Sequence, residues 1–396
     1  MDAVKFLDLL EDMGGTFFTG VPDSLLSPFI DSVVERYAVP SERHIVAANE
    51  GAAVGIAAGH YLATKKPAVV YMQNSGLGNA VNPITSLLHE KVYSIPVIFV
   101  IGWRGEPGTK DEPQHVFQGE KTLELLDCLE IPYAVIGKET ADLSAITDDF
   151  KKHLNNGRSV AFVIQKDAIQ SSTKIDYTSN NLLSREEVLK IILSASLATT
   201  HGRTNIPNTP DTDIFVCTTG KLSREVFEIR QSQGVGHGND FLTVGSMGHS
   251  LMIAYGIALA KPKRRVFCLD GDGAALMHLG SLAVVGVNKP ANLIHVVINN
   301  GAHETVGGLP TVCTHLNLSE AAKIYGYRKS LRVINPADLE EAIKCINTEK
   351  NADETGGPIF IEVLCNLGSR KDLGRPTTSP IENKNALMST LAEDCN

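Results

Sequence analysis

The chain is predicted to be α/β, with two doubly wound parallel-sheet domains. Three observations carry that expectation. Short apolar, β-branched runs alternate with longer amphipathic stretches, the signature of βαβ units. The alternation runs twice, on either side of a stretch rich in Thr, Asn and Pro. The length, 396 residues, suits two or three domains at roughly 100–200 residues each.

The elements follow in order. Residues 1–15 form an acidic amphipathic helix pattern. Strands are expected over 16–21, 44–48, 68–73, 97–102, 133–137 and 160–166, with helices over 24–37, 49–63 and 141–154. The second half has strands over 214–219, 265–269, 293–299, 328–334 and 358–365, and helices over 223–233, 250–260, 274–285 and 336–347. Pro336 stands where a first helical turn tolerates proline. Between the halves, Ser184 with Glu187 three residues later marks a capping box for a helix over 184–197. The Thr/Asn/Pro stretch after it reads as linker. The expected organisation is a first domain over 1–167, a linker with one helix over 168–212, a second domain over 213–368 and a partly ordered tail over 369–396.

Composition narrows the function classes. Hydrophobic residues make up 43% and charged residues 20%, ordinary for a globular protein. The net charge of −9 argues against nucleic-acid partners, which require a positive field. The seven cysteines are odd in number, dispersed and without a C-x-x-C pair, so a zinc site or disulfide framework is not expected, and a reducing cytoplasm fits. No apolar run reaches the roughly 18 residues of a membrane span. The N-terminus lacks the basic start and apolar core of a signal peptide, so the expectation is a mature chain with no leader and no membrane partner.

The sharpest feature is residues 265–308, RRVFCLDGDGAALMHLGSLAVVGVNKPANLIHVVINNGAHETVGG. A strand ends in GDG, a helix begins at once, and a second apolar strand ends in paired asparagines. Ligands sit at the carboxyl ends of parallel strands. Gly271 and Gly273 let backbone approach an anion, and the helix from Ala274 offers free N–H groups to a diphosphate. Asp272 would repel that diphosphate unless a divalent cation bridged them. Mg²⁺ takes oxygen donors: one carboxylate, one amide from Asn299 or Asn300, and one backbone carbonyl. A lone GDG reads equally well as a turn. GDG after a strand, with NN ending the next strand, is far more specific.

This arrangement resembles the cofactor signature of thiamine-diphosphate enzymes. The resemblance implies that Asp272, Asn300 and the carbonyl of Ala302 hold Mg²⁺, with Asn299 as the alternative. Gly271, Gly273, Ala274 and Thr305 would then wrap the diphosphate. The family also needs a buried Glu on a different domain to protonate the cofactor's aminopyrimidine ring. The first half offers Glu50 in HIVAANEGAAVGIAAGHYLAT, where an apolar setting raises a carboxyl pKa. Read alone, Glu50 is an acid favoured by a helix N-terminus. In FLTVGSMGHSLMIAYGIALA the resemblance assigns Met247 to prop the cofactor and Gly245 to accept from its amino group; read alone, Met247 is core. Thr218, Thr219 and Gly220 would contact the diphosphate.

Larger members of that family insert a third domain, and no middle domain is expected here. The local motifs FFTGVPDSLL (17–26), YMQNSGLGNAVNP (71–83), IGWRGEPGTKDEPQH (101–115), TTGKLSRE (218–225), FLTVGSMGHS (241–250) and DGAALMHLGSLA (272–283) resemble the phosphonopyruvate decarboxylase family. That family turns 3-phosphonopyruvate into phosphonoacetaldehyde and CO₂, and the sulfopyruvate decarboxylases are its relatives. The resemblance implies a small anionic 2-keto acid substrate, with thiamine diphosphate and Mg²⁺ as cofactors. It also implies a homo-oligomer with active sites between subunits. Arg104, Lys110 and Lys221 are the candidate phosphonate binders, with Arg224 nearby; any one of them alone reads as a surface charge. Asp23, His115 and His303 are candidates for proton transfer, with His249 behind them. Decarboxylation of another 2-keto acid, and a non-catalytic cofactor-binding subunit, are the competing readings.

Overall fold

The computed structural model describes residues 1–140, 142–171, 173–201, 213–348 and 356–392. The chain divides into two units. The first is Met1–Asp176 with Val306–Leu309, and the second is Tyr177–Thr305 with Pro310–Asn396.

In the first unit, strands β1 (Phe18–Gly20), β2 (His44–Val46), β3 (Ala68–Gln73), β4 (Val97–Gly102), β5 (Tyr133–Ile136) and β6 (Val160–Ile164) form one sheet in the order β2-β1-β3-β4-β6-β5. Every neighbouring pair is parallel. Strands β4 and β6 are buried along their whole length. Helices cover both faces of a parallel sheet, so such strands read as unbroken apolar runs rather than alternating ones. Between β2 and β3 the chain crosses back over β1, which puts a topological switch point between β1 and β3.

The second unit repeats the plan with β7 (Ile214–Cys217), β8 (Asp240–Leu242), β9 (Val266–Gly271), β10 (Leu293–Asn299), β11 (Lys329–Val333) and β12 (Ile359–Leu364), in the order β11-β12-β10-β9-β7-β8. These pairs are parallel too. The switch point lies between β7 and β9. One core of this unit packs Val188, Phe227, Phe267 and Ile361 on one side of the sheet, and another packs Ala254, Val285 and Tyr327 on the other.

The two expected doubly wound sheets are therefore present, with no middle domain between them. Several elements differ from expectation. The helix expected over 274–285 is two helices, Asp272–Met277 and Gly280–Asn288, broken at His278 and Leu279. The helix Pro113–Cys128 is not among the expected elements. Its first turn carries Pro113 and a run of polar residues, which hides the apolar stripe of its second half. The edge strand β8, three residues long, was too short to register as a pattern. The tail is not merely an extension: Pro380–Ala392 is a helix closed by a capping box, with Ser379 Oγ and Glu382 Oε2 2.9 Å apart. Of the expected linker, 202–212 lies outside the described residues, as do 393–396 with Cys395. Among the described residues, no helix is long and apolar enough to cross a membrane.

Candidate active site

Candidate residues gather at the carboxyl ends of the strands beside each switch point. Each unit carries its own set.

In the first unit, Glu50 opens the helix Glu50–Thr64, capped by Asn49, whose side chain accepts from the Ala52 N–H (2.9 Å). The Glu50 carboxylate is buried and meets the amide of Asn79, which donates from Nδ2 to Oε2 at 2.8 Å. Burial raises its pKa, and the Asn79 bond offsets only part of that. Gly76 leaves the room: a Cβ there would stand 2.5 Å from Glu50 Cγ and 2.6 Å from Oε1. Neither Asn79 nor Gly76 was singled out from sequence, although both lie in the 71–83 motif.

Asp23 follows β1 and is fully buried. It accepts from Gln73 Nε2 (2.7 Å) and from the Leu25 N–H (2.9 Å). Burial nonetheless raises its pKa. Arg104 follows β4 and grips Asp111 by two bonds, Nε to Oδ2 (2.8 Å) and Nη2 to Oδ1 (2.5 Å), while Nη1 donates to Ser24 Oγ (3.1 Å). Burial acts to raise the Asp111 carboxyl, but Arg104 and the N–H groups of Glu112 and Gly105 outweigh it and hold it well below the carboxylate range. His115, in the first turn of Pro113–Cys128, is buried with Nδ1 unpartnered, and burial followed by Arg104 lowers its pKa. Lys110 is exposed on the loop between them. Asp23, Arg104 and His115 thus lie close to one another, linked by Ser24 and Asp111.

In the second unit, Asp272 is buried at the end of β9. Its Oδ2 accepts from Thr311 Oγ1 at 2.6 Å. Burial pushes this carboxyl up to about 6 despite that bond and several backbone ones. The helix begins at Asp272 itself, capped by Gly271, two residues earlier than expected. Asn299 is occupied inside the sheet: Nδ2 donates to Glu362 Oε1 (2.8 Å), and Oδ1 accepts from the Gly301 N–H (3.0 Å). Asn300, half-buried just past the carboxyl end of the central strand β10, donates from Nδ2 to Glu304 Oε2 (2.9 Å), and its Oδ1 accepts from the Ala302 N–H (3.1 Å). His303 is buried, and burial lowers it to about 4.

Around Asp272 lies a tight cradle. A Cβ on Gly273 would stand 3.0 Å from the His303 ring and 3.4 Å from Met247 Cε. Met247, Gly245 and Thr305 are half-buried or exposed. Thr219 Oγ1 is taken by the Val244 carbonyl (2.7 Å), whereas Thr218 Oγ1 is buried without a partner. Gly220, at φ 97°, caps the helix Lys221–Ser232, and Ala274 is buried in the short helix. Lys221 Nζ is paired with Glu304 Oε1 at 2.8 Å. His249 is exposed, its ring 4.5 Å from that of His278.

The donor set fits a hard cation: a carboxylate (Asp272), an amide oxygen (Asn300) and a backbone carbonyl (Ala302), with the orphaned Thr218 hydroxyl available to an anion's oxygen. A second group, Cys268, Asp270 and His295, has ligand atoms within 4.8 Å of one another. It lies wholly inside the sheet, where Asp270 accepts from the Gly271 N–H (2.9 Å) and His295 pairs with Asp270 (3.6 Å) and Tyr327 (3.4 Å). All three residues are buried, and His295 Nε2 has no hydrogen-bond partner there.

Residues 3–125 match the thiamine pyrophosphate enzyme N-terminal TPP binding domain, and residues 219–363 match its C-terminal TPP binding domain. A phosphonopyruvate decarboxylase from Streptomyces viridochromogenes is 33% identical, covering 94% of this chain and 90% of that protein. One from Streptomyces hygroscopicus is 32% identical, covering 96% and 92%. A sulfopyruvate decarboxylase from Methanosarcina acetivorans is 24% identical, covering 98% and 97%.

Proposed function

We propose a reaction from one premise: this chain belongs to the thiamine-pyrophosphate-dependent decarboxylases, in the family of the phosphonopyruvate decarboxylases. The reaction is the Mg²⁺-dependent, non-oxidative decarboxylation of 3-phosphonopyruvate to phosphonoacetaldehyde and CO₂, carried out in the cytoplasm as part of phosphonate metabolism. The observation that supports it most is the buried Glu50 carboxylate in one unit together with the all-oxygen set Asp272, Asn300 and Ala302 in the other.

When bound, thiamine diphosphate supplies a thiazolium that accepts the electron pair left by departing CO₂. The residues of the chain bind, orient and move protons. Asp272, Asn300 and the Ala302 carbonyl hold Mg²⁺. Gly271, Gly273, Ala274, Thr218, Thr219, Gly220 and Thr305 shape the diphosphate's berth. Met247 and Gly245 orient the cofactor. Burial favours the neutral form of Glu50, which would supply a proton to the aminopyrimidine ring of a bound cofactor.

The three proton-transfer candidates have different chemistry. Burial raises Asp23, so it holds its proton closer to neutral pH and suits the role of acid. Burial lowers His115 and His303 and so favours their neutral forms. Arg104 keeps N–H donors beyond its grip on Asp111 and, with Lys110, offers the cationic contact for the phosphonate. Lys221 is engaged by Glu304 and is the weakest of the three expected binders.

The relative from Methanosarcina favours sulfopyruvate as a second reading, because a sulfonate asks for the same donors. CO₂ release from phosphonopyruvate, sulfopyruvate and pyruvate, measured side by side with both cofactors present, decides. Phosphonopyruvate should have the highest kcat/KM. Turnover of either other acid without turnover of phosphonopyruvate rejects the proposal.

A further inference from the structure

The chemistry above leaves a buried ion network in the second unit unused. Glu304 lies four residues after Asn300. Its carboxylate accepts from Asn300 Nδ2 (2.9 Å), Lys221 Nζ (2.8 Å) and Arg185 Nη1 (2.7 Å). The other edge of Arg185, in the helix Arg185–His201, clamps Glu225 through Nε (2.7 Å) and Nη2 (2.8 Å). The side chains of Arg185, Glu225 and Glu304 are 8%, 1% and 9% exposed. Two cations and two carboxylates balance in charge, so burial of the set is affordable only while all of it is intact.

The placement of these partners gives the network its meaning. Lys221 follows Gly220 at the carboxyl end of β7, and Asn300 follows β10. Strand β9, which delivers Asp272, runs between those two strands. Glu304 therefore spans the carboxyl end of β9 and ties one wall of the cradle to the other. The walls also approach directly: a Cβ on Gly220 would stand 3.2 Å from Thr305 Cγ2. The Asn300 amide is held at both ends, by Glu304 at Nδ2 and by the Ala302 N–H at Oδ1, which fixes its rotation.

We infer that Arg185 is a positioning residue for the metal site, acting through Glu304 to orient Asn300 and to hold the two walls at the spacing that metal and diphosphate require. Nothing in the sequence pattern near Arg185 marks this role, because it stands over 100 residues away from Asn300 in the chain. The inference rests on the metal and cofactor assignment proposed above. A lysine at 185 keeps the charge but cannot fork between two carboxylates.

The test compares the full-length parent with Arg185→Lys and Lys221→Met. Mg²⁺ is titrated by calorimetry in the presence of thiamine diphosphate, and the Mg²⁺ dependence of CO₂ release is measured alongside. Changes to residues that orient metal ligands typically weaken metal binding by about 10- to 100-fold. Arg185→Lys should raise the Mg²⁺ Kd by about 10-fold while its kcat at saturating Mg²⁺ falls by less than about 3-fold, and Lys221→Met should raise the Mg²⁺ Kd by about 3-fold. A merely structural role lowers Tm and leaves the Kd unchanged; that result overturns the inference. If Arg185→Lys does not fold, an unchanged Kd in Lys221→Met, whose side chain is half-exposed, overturns it equally. A parent chain that binds neither Mg²⁺ nor thiamine diphosphate overturns the assignment on which the inference stands, and the inference with it.

Discussion

At Gly76 a single methyl group has much to displace. Its Cβ would stand 2.6 Å from Glu50 Oε1, well inside any real contact. Gly76→Ala should therefore push Glu50 off its Asn79 partner and cut turnover by about 100-fold, the scale expected of an ångström misplacement in an active site. Circular dichroism should show the fold retained; full activity in the variant would contradict the placement of Glu50. Asp111 gives a prediction with a pH sign. Its folded pKa lies below its unfolded one, so its pairing with Arg104 stabilises the protein above the unfolded value of 3.8 and is lost as pH falls through the folded value. Asp111→Asn should cost about 1–3 kcal/mol at pH 7, as for breaking one partner of a charged hydrogen-bonded pair. In urea titrations the gap from the parent should close at strongly acidic pH, and a gap that widened there would refute the pairing. At this scale the sequence showed Glu50 and Asp272, because each opens a helix straight after an apolar strand. It did not show Asn79, Gln73, Asp111 or Glu304. Their partners lie across turns or between strands, and no local period encodes such distances. Arg104 and Lys221 could be read as free cations from sequence alone; only the folded chain shows the carboxylates that hold them.

Among the elements, the tail helix Pro380–Ala392 completes the second sheet's edge. Asn383 donates from Nδ2 to the Asp240 carbonyl (2.9 Å) and accepts from the Leu242 N–H at Oδ1 (3.0 Å). A side chain thus does for edge strand β8 what a further strand does elsewhere. Asn383→Ala leaves two buried backbone groups unpaired and should destabilise the chain by about 1–3 kcal/mol. Chemical denaturation reads the loss; an unchanged midpoint would mean that water replaces the amide. Most of the central strands were legible, and β3, β4 and β10 have the bounds read from their apolar runs. Short or mixed elements were not. The three residues of β8 carry no period, and the first turn of Pro113–Cys128 is too polar to reveal a helix. The break after Met277 was hidden because apolar residues continue across it.

For the molecule as a whole, the family resemblance implies a homo-oligomer, and several apolar residues stand exposed. On Glu50–Thr64 the exposed positions 52, 55, 59 and 62 are Ala, Gly, Gly and Leu, and added Cβ atoms at Gly55 and Gly59 would meet nothing within 4 Å. Leu62, Leu259 and Val287 are 70%, 58% and 74% exposed. A chain with net charge −9 gains solubility from its acidic surface but still leaves these residues in water. We therefore expect a homo-oligomer, with Glu50 of one copy serving the cradle of another. Sedimentation should find an active dimer or larger species and an inactive monomer; an active monomer would reject the shared site. The central claim, that Glu50 activates a cofactor held by the second unit, is tested most directly by Glu50→Gln. The isosteric amide should bind thiamine diphosphate and Mg²⁺ as the parent does, yet lose CO₂ release by at least about 100-fold, the lower range of general acid–base catalysis. A variant that retains parental turnover with cofactor bound would contradict the claim.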